Sequence, residues 1–143
     1  MLTRLLLATL LSASSFAHAG APHAPPESVL VSDLVRYTCK RSFTGKGIGE
    51  CLGRIDVHLS KVPYPMKSTT FDCDIVLRYW WKNGPRWEED LRSQKKSVQV
   101  EPGGATFASA VLEVSEDFTS VSKEPQQSEV ARISCSASWT YAR

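Results

Sequence analysis

The chain has 143 residues, 17 basic and 15 acidic side chains and a formal net charge of +2. That is the size of one ordinary domain, and it provides no global field for nucleic acid or for an anionic membrane surface. Four cysteines, none spaced as Cys-x-x-Cys, favour two disulfides over a zinc site or a redox motif in an exported chain.

Residues 1–19 read as a signal peptide. Arg4 supplies the positive start, residues 5–16 the mostly apolar run, and Ala17-His18-Ala19 the small-x-small cleavage site. The apolar run is shorter than the roughly 20 residues that span a bilayer, and the first cysteine, Cys39, lies too far on to carry a lipid. A periplasmic or secreted protein with no membrane anchor follows. Cleavage leaves 124 residues, with 16 basic against 15 acidic side chains. Residues 20–32 hold three prolines and form a flexible N-terminal arm; residues 33–143 form a single disulfide-stapled β domain. His23, in the arm, has no second ligand near it and reads as a solvated side chain.

From Asp33 the apolar positions alternate. Val35, Tyr37 and Cys39 share one strand face, and after a loop at 41–49 a second run sets Cys51, Gly53, Ile55, Val57 and Leu59 on one face. The two runs make a hairpin, and a Cys39–Cys51 bridge closes it. Gly45, Gly47 and Gly49 at the tip imitate a phosphate cradle, but a cradle precedes a helix and this loop precedes a strand. Pro63 and Pro65 then exclude a paired central strand and mark a sheet edge or a crossover between sheets.

Residues 71–81 (FDCDIVLRYWW) place Phe71, Cys73, Ile75, Leu77, Tyr79 and Trp81 on one face of a central strand. Asn83 and Gly84 signal a turn. A two-residue turn would set Arg86, Glu88, Asp90 and Arg92 on the face of Leu77 and Tyr79, flooding the core with charge. A register shifted by one residue, with Trp81 opposite Trp87 and Leu77 opposite Leu91, is therefore expected, with a bulge or longer loop because Pro85 cannot adopt a positive φ. Residues 85–96 also suit a short helix, with acids early and lysines late; strand and helix both stay open. Val98 and Val100 lead to a turn at Pro102-Gly103-Gly104, residues 105–114 return as a strand, and residues 116–129 form a polar loop. The last strand, 133–141, carries Ile133, Cys135, Ala137, Trp139 and Tyr141 on one face. A bridge between Cys73 and Cys135 is preferred, although four cysteines allow three connectivities. If the strands bearing it ran parallel, Tyr79, Trp81, Trp139 and Tyr141 would gather at one end of the core; antiparallel pairing sends the two groups to opposite ends. The fold class is all-β: an antiparallel β-sandwich, immunoglobulin-like, or a small barrel of six to seven strands.

No catalytic residue is assigned. No Gly-x-Ser-x-Gly elbow is present, His58 and Asp56 read as a surface pair, and Asp72 with Asp74 lacks a further acidic cluster. No cofactor or metal is implied. The candidate binding residues are Arg78, Trp80, Lys82 and Arg86, on the outward face and tip of the central hairpin, where a tryptophan among cations suits a protein or glycan partner; a cover over Trp80, either from residues 116–129 or from a short helix, is the competing account. The expected function is an exported non-catalytic binding or structural module. The alternative is an inhibitor of a cell-wall hydrolase or toxin, whose loop at 43–49 plugs an active site. The sequence leaves the oligomeric state open.

The tetrad Tyr37-Thr38-Cys39-Lys40 resembles the start of periplasmic inhibitors of animal-type lysozyme, which are small disulfide-bonded β-barrels. Those inhibitors' Ser-Gly and Tyr loop motif has no counterpart here, so no site residue carries over. The turn VQVEPGG resembles those of immunoglobulin-like sandwich domains of exported bacterial proteins, a likeness of fold that does not fix function.

Overall fold

The computed structural model describes residues 28–118 and 123–143. The expected signal peptide and most of the expected arm, His23 included, lie outside the described residues. Six strands make two antiparallel three-stranded sheets: β1 (Val29–Arg41), β2 (Ile48–Ser60), β3 (Met66–Asn83), β4 (Arg86–Val100), β5 (Ala108–Asp117) and β6 (Gln127–Tyr141). One sheet has the order β1-β2-β5 and the other β4-β3-β6. This is a β-sandwich, with no helix among the described residues. Residues 29–32, expected in the arm, are the first residues of β1.

Period-two alternation puts the core between the two central strands. Ile55, Val57 and Leu59 of β2 face Phe71, Ile75, Leu77 and Tyr79 of β3, and all are buried. Fully burying each such side chain stabilises the fold by roughly 1.5–3 kcal/mol. The prolines at 63 and 65 lie where the chain crosses from β2 to β3, between the sheets, and Met66 then donates its N–H to Ala105 O at 2.9 Å.

Both preferred bridges form. Cys39 pairs with Cys51 across β1 and β2, and Cys73 with Cys135 across β3 and β6, each between residues directly opposite in register. Since β3 and β6 run antiparallel, the aromatic groups separate. Tyr79 and Trp81 lie at one end with Phe118, whose ring meets Tyr79 edge-on at 5.0 Å. Trp139 is opposite Thr69 at the other end, where Tyr141 meets Tyr64 at 5.5 Å.

Three further expectations are corrected. Val35 does not share a face with Tyr37 and Cys39: it is the extra residue of a bulge between Leu34 and Arg36, so the inward positions switch from Leu30 to Tyr37. The polar loop is shorter than 116–129, because β5 continues to Asp117 and β6 begins at Gln127. The largest correction is the β3–β4 register. Asn83 pairs with Arg86 across a two-residue turn of Gly84 and Pro85, with Gly84 at φ +60°. A glycine of positive φ in the first loop position is the type II′ hairpin turn, and Pro85 needs no positive φ there. Glu88, Asp90 and Arg92 consequently lie opposite Trp81, Tyr79 and Leu77. The core is not flooded, because residues 86–93 of β4 are exposed throughout: β4 is an edge strand, and its first half overhangs the sandwich. Inward-pointing charge on an overhanging edge also opposes indiscriminate strand pairing.

Candidate functional site

The corrected register determines what the hairpin displays. Arg78, Trp80 and Lys82 share the outer face of β3 and are directly opposite Leu91, Glu89 and Trp87 of β4. Trp87 and Leu91, which the sequence reading placed in the core, are therefore outside, each 53% exposed. Trp80 is half-buried between them and the start of β6, where Gln127 is its cross-strand neighbour. Arg86 is not part of this cluster. Paired with Asn83, it falls at the hairpin tip on the opposite face, that of Trp81.

The cations here are largely engaged. Arg78 lies between two carboxylates, Nε at 3.0 Å from Glu89 and Nη1 at 2.9 Å from Glu129, with its guanidinium 5.8 Å from the Trp80 ring centre. Exposed ion pairs add at most about 1 kcal/mol, so their consequence is geometric: they hold the Arg78 guanidinium beside the indole. Lys82 lies 6.0 Å from the centre of the Trp87 ring. The result is an aromatic and aliphatic patch with nearly balanced charge. Part of the competing cover is present as well, since Gln126 donates its N–H to Trp80 O at 2.7 Å; Glu88, which Lys123 approaches at 3.6 Å, belongs to the opposite face, that of Trp81. The Gln126 bond fixes the backbone edge of the patch and leaves Trp87 and Leu91 exposed.

A second feature occupies the same end of the sandwich. The β1–β2 loop closes through Ser42 N–H to Gly47 O at 2.8 Å, and its hydroxyls converge on one carboxylate, Ser42 Oγ and Thr44 Oγ1 donating to Glu124 at 2.6 and 2.9 Å. Gln126 Nε2 donates to Lys46 O, and Ile48 N–H to Pro125 O. Gly47 fits so closely that a Cβ there would lie 2.7 Å from Glu124 Cβ. Phe43, at the tip of this braced loop, is fully exposed. A fully exposed large apolar side chain, on a loop held by hydrogen bonds to residues 124–126 and within itself, is costly to display in water.

Beneath the patch, inside the sandwich, burial pushes the Tyr79 phenol well above its ordinary range, and the Glu116 carboxylate adds to the effect. Arg92 lies over the Tyr79 ring at 5.4 Å. The remaining polar candidates are dispersed. Asp56 pairs with Arg54 at 2.9 Å, whereas His58 bonds Ser109 on the neighbouring strand. Asp72 and Asp74 project from the outer face of β3 into a shallow depression of about 370 Å³, flanked by Lys95, Ser97, Ser134 and Ser136. No group of three or more His, Cys, Asp or Glu side chains able to hold a metal ion occurs among the described residues.

Compared with protein-family models, with curated proteins and with solved structures, the chain matches none. The two disulfides fit an oxidising compartment, and no helix among the described residues is long and apolar enough to cross a membrane.

Proposed function

We propose that this is a periplasmic or secreted, non-catalytic module that binds another protein through the outer face of the β3–β4 hairpin. The observation that carries the proposal is the exposure of Trp87 and Leu91 beside Trp80, on a hairpin whose backbone is fixed by sheet pairing on both sides of β3. Tryptophan with a flanking arginine is the side-chain combination that dominates protein interfaces when water is excluded around it. A protein is favoured over a glycan because the nearby carboxylates of Glu89 and Glu129 are already taken up by Arg78 and do not remain to bond sugar hydroxyls. Crosslinking through a photoreactive group at position 87 in the exporting cell, followed by mass spectrometry, tests the proposal. Crosslinks to a discrete protein support it; crosslinks only to glycan, or none at 87 while a control site reacts, count against it.

Phe43 favours a second reading, inhibition of a cell-wall hydrolase or toxin. A braced loop with a bare aromatic tip loses little conformational entropy on entering a cleft. Inhibition of a panel of lysozymes and peptidoglycan hydrolases by the purified protein, abolished in Phe43→Ala, is the outcome this reading requires.

A further inference from the structure

β4 (Arg86–Val100) is an edge strand, and it pairs with β3 along its whole length without a bulge. In an antiparallel ladder alternate residues exchange hydrogen bonds, and the pair closing a two-residue hairpin, here Asn83 with Arg86, is a bonded one. Even-numbered residues of β4 thus turn their backbone groups to β3, and odd-numbered residues from Trp87 to Gln99 turn theirs to the edge that no strand pairs, although β5 of the other sheet approaches its second half, where Gln94 Nε2 donates to Ser115 O at 2.9 Å. Leu91 agrees: its N–H bonds the side chain of its neighbour Asp90 at 2.9 Å. Apart from the Leu91 N–H, which the Asp90 carboxylate already holds, this row of backbone groups has no ladder partner, and such a row is a template for another strand.

The charge along this edge says which strand. Glu88, Glu89 and Asp90 occupy the first half, and Lys95 and Lys96 the second. When two copies of one strand pair antiparallel about a two-fold axis, each residue meets the one reflected through the strand's centre, which in β4 is Ser93. That register overlaps the two strands completely. It sets Asp90 opposite the partner's Lys96, with Glu89 diagonal to the partner's Lys95, and no like charges face each other directly. Neighbouring registers are worse: centring on Arg92 puts that arginine against its own copy, and centring on Leu91 puts Arg86 opposite the partner's Lys96. Opposite charges stabilise directly facing cross-strand positions and like charges destabilise them, so the pattern selects one register.

We propose that the protein forms a two-fold dimer by antiparallel pairing of β4 with β4, giving a continuous six-stranded sheet of order β6-β3-β4-β4-β3-β6. Because the axis is perpendicular to the sheet, both Trp80 and Trp87 faces point the same way. The dimer is then bivalent toward any partner of that face, with the gain in avidity that linkage brings. The inference rests on the strand edge and stands or falls independently of the partner.

Sedimentation velocity of the purified protein across a concentration series should give twice the mass of one chain. Asp90→Lys and Lys96→Asp should each sediment as monomers, since each sets two like-charge pairs in the interface. An equimolar mixture of the two should regain the dimer mass, because every such pair is then again of opposite sign. Ser93→Pro removes an N–H that β3 does not use, so it should abolish the dimer while near-ultraviolet circular dichroism stays that of the folded protein. A wild-type mass of one chain at every concentration, dimers that survive the single reversals, or a mixture that stays monomeric would overturn the proposal.

Discussion

Replacing Cys73 and Cys135 together with alanine should destabilise the protein more than replacing Cys39 and Cys51, and the difference can be worked from the loops they close. The separations are 62 and 12 residues. The loop-entropy relation gives about 4.3 kcal/mol for the longer loop and about 2.8 kcal/mol for the shorter. Packing does not reverse the order, because each bridge has one deeply buried cysteine, Cys73 at 2% exposure and Cys51 at 0%. Each bridge also joins residues already held opposite by the ladder, so the folded sheets should persist in both variants and the loss should come mainly from a freer unfolded chain. Urea titrations followed by tryptophan fluorescence read the result. With a slope of about 1–3 kcal/mol per molar urea, the difference of about 1.5 kcal/mol separates the two midpoints by about 0.5–1.5 M. Equal midpoints, or a lower one for the Cys39 and Cys51 variant, would refute the reasoning.

Tyr79→Phe should leave stability at neutral pH unchanged or raised, since the Tyr79 hydroxyl is buried without a well-placed hydrogen-bond partner. Above pH 10, the ordinary value of the phenol, the unfolded wild-type chain releases a proton that the folded one keeps, so wild-type stability falls as pH rises. The variant's urea midpoint should fall less over the same range; Tyr37, also raised by burial, retains part of the slope. Gly47→Ala should push residues 124–125 away from the loop and speed exchange of the Ile48 amide, which bonds Pro125 O at 2.8 Å; an unchanged rate would show that the loop is not braced there. Trp87→Ala with Leu91→Ala should alter stability by no more than about 0.5 kcal/mol, as surface changes do, while weakening partner capture; a large drop in melting temperature would mean that these side chains are covered.

Much of the architecture was legible because the sequence states it twice. In β3 the alternation from Phe71 to Trp81 marks a buried face, and in β6 the serines and threonine between Ile133 and Tyr141 mark an exposed one. Each run has a cysteine at an inward position, so the pairing of Cys73 with Cys135 agreed with both. β1 was harder to read. Its bulge at Val35 breaks the period in mid-strand, and nothing in the residue types of VSDLVRY announces an unpaired residue.

The β3–β4 register was misread for a physical reason that also created the candidate site. Alternation shows which residues share a face, but whether that face meets the opposite sheet depends on how far the opposite sheet extends. Burial arguments assume that it does, and on that assumption Trp87 and Leu91 belong inside while Glu88, Asp90 and Arg92 belong outside. The turn residues argue locally the other way, since Gly84 before Pro85 suits a type II′ loop. Local turn chemistry prevails because the first half of β4 overhangs the sandwich, so that neither of its faces is deeply buried and hydrophobic patterning has little hold on the register. An exposed tryptophan and leucine are the direct result. A strand that must fill a core has little freedom to display apolar side chains, whereas an overhanging one can hold them in water on a fixed backbone, and here that happens at the end of the sandwich that also carries Phe43.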